Sequence, residues 1–121
     1  MHIGPSLATA LPVRKPDIDL HQGFARHWFG GDAFRTAYYN ALSMSFPAGG
    51  QLFIESVNIA LPLLADTPAN AALRSLCADF AAQKATHRFV HQQYNRVLAQ
   101  QGLHNHVEAR AGRDRTQGRG L

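Results

Sequence analysis

The sequence has few of the features that define a compartment or a membrane protein. Its single cysteine, Cys77, cannot form an intrachain disulfide, and we expect it to be a small buried core residue. No apolar run approaches the roughly 20 residues of a membrane-spanning helix. The short apolar run around Pro12 has no cationic residue ahead of it, unlike a signal peptide. We therefore expect a soluble, cytoplasmic protein with no membrane partner.

Acidic residues are also few. Eight Asp and Glu residues stand against 12 Lys and Arg, which gives a net charge of +4. A basic protein can bind nucleic acid. However, four arginines fall within the last dozen residues, where no aromatic residue alternates with them. We therefore expect a solvated basic tail and no nucleic-acid partner.

The composition, with 45% hydrophobic and 17% charged residues, is that of one small globular domain. Residues 1–31 contain three prolines and four glycines, too many for a long helix, and predict an extended N-terminal arm. The aromatic residues Phe24, Trp28 and Phe29 of this arm should pack on the helical segments after it. Residues 32–102 predict a helical bundle fragment, and the aperiodic residues 103–121 predict a disordered basic tail.

Three helices are expected between residues 32 and 102. Asp32 has the character of an N-cap, and a first amphipathic helix should extend from it to Ser45. Pro47 should end that helix and start a second one, which Pro62 bends or ends. The apolar face of the first helix consists of Phe34, Ala37, Tyr38, Ala41 and Leu42. The inward face of the second consists of Gly50, Phe53, Val57, Ala60 and Leu64.

The third helix is the longest and has a polar centre on its inward face. Thr67 and Pro68 mark its start, and Gly102 marks its end. Alternating steps of four and three residues place eight residues on one side: Leu73, Cys77, Phe80, Lys84, His87, His91, Tyr94 and Leu98. Polar groups in a core-facing stripe are costly unless something satisfies them.

Two interpretations of this polar centre stay open. His87 and His91 are one helical turn apart, so both rings can share one metal ion. Alternatively, they are core or interface histidines that bond to backbone, tyrosine or an amide such as Asn95. Lys84 is either a desolvated nucleophile or, as we favour, a side chain whose stem packs while its ammonium reaches water.

A series of short motifs carries a family resemblance over Trp28 to Gly102. The motifs are Trp28-Phe29-Gly30-Gly31-Asp32, Asn40-Ala41-Leu42-Ser43, Phe46-Pro47-Ala48-Gly49, Phe53-Ile54, Ser56-Val57, Leu61-Pro62, and Gln83 through His87, His91 and Asn95. In order and spacing, this stretch resembles a family of bacterial proteins described as predicted metal-dependent hydrolases. That family resembles the ferritin-like di-metal proteins, in which Glu and Glu-x-x-His ligands face the interior of a helical bundle.

The resemblance implies two carboxylate ligands that this chain lacks. The family pattern has Glu after Phe-Pro-x-Gly and Glu three residues before the first histidine, and here those positions are Gly50 and Lys84. The implied metal ligands that remain are His87 and His91. We expect a divalent transition metal, whether iron, manganese or zinc, to bind weakly or not at all. Positions 50, 84, 87 and 91 should nevertheless converge on one interior point.

The predicted fold class is all-α. We expect an incomplete ferritin-like helical bundle of three main helices, because members of the family continue beyond the point where this chain turns into a basic tail. Two functions stay open. The chain is either a metal-dependent hydrolase-like protein with an impaired metal centre, or a non-catalytic helical remnant. In both cases uncovered apolar faces predict a homo-oligomer.

Overall fold

A computed structural model of the chain describes residues 10–118, and it confirms the all-α fold class. Helix α1 is Ala33–Ala60, a short 3₁₀ turn follows at Leu61–Leu63, α2 is Pro68–Gln100 and α3 is His106–Gly118. Residues 10–118 contain no strand. Expectations for residues 1–9 and 119–121 lie outside the described residues. The ferritin-like relationship stays a prediction.

The N-terminal arm contacts α2 at several points. The Leu11 N–H donates to Asp79 Oδ2 at 3.1 Å, and Gln83 Nε2 donates to the Pro12 carbonyl at 2.7 Å. Further along the arm, Phe24 stacks on Tyr94 of α2 with ring centroids 4.6 Å apart. The predicted packing of the arm's aromatic residues on the helices is therefore confirmed.

Pro47 does not end a helix, so the prediction of a break there is wrong. It lies inside α1, which runs without interruption from Ala33 to Ala60. A proline inside a helix leaves the carbonyl four residues earlier without its usual N–H donor. Here that carbonyl belongs to Ser43, and Asn95 Nδ2 of α2 donates to it at 3.1 Å. A side chain from the neighbouring helix thus supplies the hydrogen bond that Pro47 cannot.

The face of α1 that packs on α2 is also not the predicted one. Its buried residues are Thr36, Asn40, Ser43 and Pro47. The expected core residues Phe34 and Tyr38 are 81% and 59% exposed. The arm and α2 satisfy the buried polar groups directly, which makes this orientation feasible. Asn40 Oδ1, for example, accepts from Trp28 Nε1 at 3.0 Å and from the Tyr94 hydroxyl at 2.6 Å.

The bounds of helix α2 agree with the prediction, but Leu73 and His87, which were expected on its inward face, are exposed. The Thr67 side chain accepts from the Asn70 N–H at 3.2 Å, and Gly102 adopts φ +87° just after the helix ends. The inward face ends at Leu98, whose relative exposure is 0%. Cys77 is half-buried, which is less than the core position we expected.

Helix α3 corrects the expectation of a disordered segment after Gly102. Asn105 caps this helix, because its Oδ1 accepts from the Glu108 N–H at 3.1 Å. Its Nδ2 donates to the Met44 carbonyl of α1 at 2.9 Å, which ties the start of α3 to α1. The sequence here has the spacing of a capping box, with the cap residue at Asn105 and Glu three positions later at Glu108. The high arginine and glycine content of the segment nevertheless favoured the prediction of disorder.

The three helices leave most of the large apolar side chains uncovered. Among the described residues only Val97 and Leu98 are buried apolar core residues, while Phe34, Leu52, Ile59 and Leu63 are each more than 60% exposed. No helix within residues 10–118 is both long enough and apolar enough to cross a membrane.

Candidate functional site

The four positions predicted to converge line one cavity between α1 and α2. Its volume is about 290 Å³, and its walls are Phe46, Gly49, Gly50, Phe53, Lys84, His87, Arg88 and His91. A Cβ added at Gly50 would lie 3.6 Å from the Lys84 carbonyl oxygen and 3.7 Å from Arg88 Cβ. Gly50, Lys84, His87 and His91 therefore share one cavity as predicted, but this cavity is not a closed interior point, because His87 is exposed. That either histidine binds a metal stays a prediction.

His91 is held by a short chain of hydrogen bonds at the wall of this cavity. Its Nδ1 lies 2.9 Å from Ser43 Oγ, and Ser43 Oγ lies 2.8 Å from Asn95 Oδ1. The Phe46 ring packs against the imidazole with centroids 4.5 Å apart. His91 is half-buried and His87 is exposed, although both line the cavity.

The chain of hydrogen bonds fixes which imidazole nitrogen carries the proton. Asn95 Nδ2 donates to the Ser43 carbonyl, so Asn95 Oδ1 is the atom that faces Ser43 Oγ. Oδ1 can only accept, so the Ser43 hydroxyl donates its one proton to Asn95. Ser43 Oγ must then accept from His91, which requires a proton on His91 Nδ1. Neutral His91 therefore has an unprotonated Nε2, the form that can bind a metal.

His91 is biased toward the neutral state. Burial lowers its pKa below the usual 6.5, because desolvation disfavours the imidazolium, and the charge of nearby His87 lowers it further. A neutral ring with a fixed tautomer is the state that binds metals and accepts protons. His91 is half-buried, between α1 and α2, and its hydrogen bonding through Ser43 agrees in part with the alternative that involves Asn95.

Two basic side chains, those of Lys84 and Arg88, also line the cavity. Lys84 Nζ lies 5.4 Å from the centroid of the Phe53 ring and 5.2 Å from that of Phe80, which are cation–π distances. Arg88 lines the same cavity, and its buried Nε has no hydrogen-bond partner among residues 10–118. Sequence reasoning did not single out Arg88 or Ser43. Arg88 could have been noticed because it lies four residues after Lys84 on the same helix.

These residues do not fit a hydrolytic metal centre. A closed metal site needs three or four ligands, and a divalent cation favours negatively charged ones. Within residues 10–118 no group of three or more His, Cys, Asp and Glu side chains is placed to hold a metal ion. Glu55, the nearest carboxylate of α1 by sequence, accepts from Gln51 Nε2 at 3.0 Å and is not among the residues that line the cavity.

Comparison with known proteins agrees with the resemblance noted in the sequence. A family model described as a predicted metal-dependent hydrolase matches residues 12–119. No curated protein and no solved structure gives a match.

Replacement of Ser43 by Ala should change the tautomer of His91. In the unmodified protein above the pKa of His91, long-range ¹H–¹⁵N spectra should show a protonated Nδ1 and an unprotonated Nε2. Ser43→Ala removes the acceptor of the Nδ1 proton, so the Nε2-protonated tautomer should increase. Ser45→Ala is the matched control, because the Ser45 hydroxyl bonds only within α1, to the Leu42 carbonyl at 2.7 Å. An unprotonated Nδ1 in the unmodified protein would contradict the assignment.

Proposed function

Because the chain belongs to the family of predicted metal-dependent hydrolases, we propose that it is a hydrolase-like protein whose metal centre is impaired or absent. The family match covers residues 12–119, which include the whole cavity between α1 and α2. The observation that carries the proposal is the presence of Gly50 and Lys84 in that cavity, where the family resemblance implies two glutamates. We take the cavity to be the position of the ancestral ferritin-like metal centre.

Electrostatics supports the loss of the metal. His87 and His91 offer two imidazole ligands and no negative charge, while Lys84 and Arg88 place two basic side chains at the same cavity. Like charges a few ångströms apart in a partly desolvated site repel by on the order of 1–4 kcal/mol. Two imidazoles without a carboxylate should therefore hold iron, manganese or zinc only weakly. The expected cytoplasmic location is part of this proposal, and the single unpaired cysteine supports it.

A second candidate is a non-catalytic protein that associates with a second copy of itself. The exposed side chains of α1 favour it, since Phe34, Tyr38 and Leu42 are 81%, 59% and 39% exposed and recur at helical spacing. Contiguous apolar surface of this kind is typical of an interface. A two-fold axis could pair the same face from both copies. Neither candidate function involves nucleic acid.

Restoring the two carboxylates should restore metal binding. We expect the Gly50→Glu, Lys84→Glu variant, made without a His-tag, to bind Zn²⁺ or Mn²⁺ at least about tenfold more tightly than the unmodified chain, because two ligands and two negative charges enter the site. A Cβ at Gly50 meets only ordinary contacts, at 3.6 and 3.7 Å. Isothermal titration calorimetry measures the affinity.

Two controls accompany this experiment. Lys15→Glu reverses the charge of a lysine outside the cavity and should leave affinity unchanged, and further replacement of His87 and His91 by Ala should abolish the gain. Unchanged affinity in the double-glutamate variant would contradict the assignment of the cavity. Near-stoichiometric metal in the unmodified chain, lost when both histidines become Ala, would contradict the proposed impairment.

Disruption of the apolar face of α1 should dissociate the homo-oligomer. We expect the unmodified chain to sediment as a dimer or larger species, and the Phe34→Glu, Tyr38→Glu variant to sediment as a monomer, because charges on this face would be buried unpaired in the interface. Phe89→Glu on α2 is the control, since Phe89 is also 58% exposed. Equal effects of both variants, or a monomer at all concentrations of the unmodified chain, would reject this candidate.

A further inference from the structure

The cavity between α1 and α2 has an electrostatic character opposite to that of a metal centre. Helix α2 contributes Lys84, His87, Arg88 and His91, and no Asp or Glu is among the lining residues. Neither Lys84 nor Arg88 forms an ion pair within the part of the chain that the structure describes. Two uncompensated cations at one partly desolvated cavity favour an anion.

The two cations are held at the cavity by different means. Lys84 Nζ lies near two aromatic rings, those of Phe53 and Phe80, at 5.4 and 5.2 Å. These contacts hold the ammonium in place but leave its hydrogen-bond donors unused. Arg88 Nε is buried and has no partner, which is costly for a charged donor. An anion in the cavity would offer a partner of opposite charge to both side chains.

An adjoining cavity offers Arg88 an alternative partner that it does not use. That cavity is lined by Gln51, Arg88 and Glu108 among others. Gln51 Oε1 is buried without a partner, like Arg88 Nε, so the two do not bond to each other. Arg88 therefore remains available at the boundary between the two cavities.

The wall contributed by α1 is apolar, and no side chain covers its backbone at two glycines. Phe46 and Phe53 present their rings, and Gly49 and Gly50 add no side chains. A Cβ at Gly49 would meet nothing within 4 Å. A volume of about 290 Å³ accommodates a single ring or a short hydrocarbon chain. The cavity therefore combines an apolar wall with a cationic one.

We propose that this cavity binds a small organic carboxylate, with the carboxylate between Lys84 and Arg88 and its apolar body against Phe46 and Phe53. Arg88 donates to the carboxylate through its guanidinium, and Lys84 donates through its ammonium. Gly50 and Lys84 stand where the family resemblance implies metal-binding glutamates. Gly50 leaves space in the cavity, and Lys84 adds a basic side chain to it. The inference rests on the proposed function, because it requires that no metal occupies the same cavity.

Benzoate is the probe, and benzamide is its uncharged counterpart of nearly the same shape. Binding to the full chain is measured by calorimetry at neutral pH, before and after dialysis against EDTA. We expect benzoate to bind at least about tenfold more tightly than benzamide, because a hydrogen bond to a charged group is worth more than one to a neutral amide. Lys84→Met and Arg88→Met should each weaken benzoate binding by roughly three- to tenfold.

Lys15→Met is the matched control, because Lys15 is the other lysine of the chain and lies outside the cavity. It should leave benzoate affinity unchanged. Circular dichroism verifies that each variant is folded, and Arg88→Met keeps the test decisive if Lys84→Met does not fold. Equal affinity for benzoate and benzamide, no benzoate binding at all, or an equal loss in Lys15→Met would overturn the proposal.

The EDTA arm separates this inference from the proposed function. Benzoate binding that persists unchanged after chelation supports a cationic site without metal. Binding that disappears with EDTA, together with metal found in the untreated protein, would mean that a metal holds the carboxylate, and both proposals would then fail. Absence of benzoate binding in a metal-free protein would overturn the carboxylate site alone.

Discussion

The contact between Asn95 and Ser43 is the interaction on which the rest of this structure depends. Asn95 Nδ2 donates to the backbone carbonyl that Pro47 leaves without a helical donor, so α1 continues as one helix. Asn95 Oδ1 accepts from the hydroxyl of the same serine, which in turn accepts from His91. The Asn95 side chain therefore supports the continuity of α1, the packing of α1 on α2 and the tautomer of His91.

This docking explains why α1 presents its apolar face outward. Ser43 and Asn40 have to face α2 and the arm to form their hydrogen bonds, and the helical period then directs Phe34 and Tyr38 toward the opposite side. The same orientation brings Gly50 against the backbone of Lys84. The cavity and the exposed apolar surface are thus two results of one helix orientation.

The sequence predicted those features whose signals are local. The bounds of helix α2 could be predicted because Thr67, Pro68 and Gly102 mark its ends. The grouping of Lys84, His87 and His91 at one cavity could be predicted because the three residues share one helical face. Continuity through Pro47 could not be predicted from local rules, since the compensating donor lies 52 residues away along the chain from Ser43. The inward face of α1 was misassigned because hydrophobic periodicity assumes that apolar residues are buried. The start of α3 also has a local signal, because Asn105 and Glu108 have the spacing of a capping box.

A double-mutant cycle of Pro47→Ala and Asn95→Ala tests the central role of Asn95 most directly. The free energy of unfolding is measured for the four proteins by chemical denaturation. Alanine at position 47 restores an N–H that can bond to the Ser43 carbonyl, so removal of the Asn95 amide should be less destabilising in that background, by about 1 kcal/mol. The bond between Asn95 and the Ser43 hydroxyl is lost in both backgrounds and cancels. An equal destabilisation in both backgrounds would contradict the account.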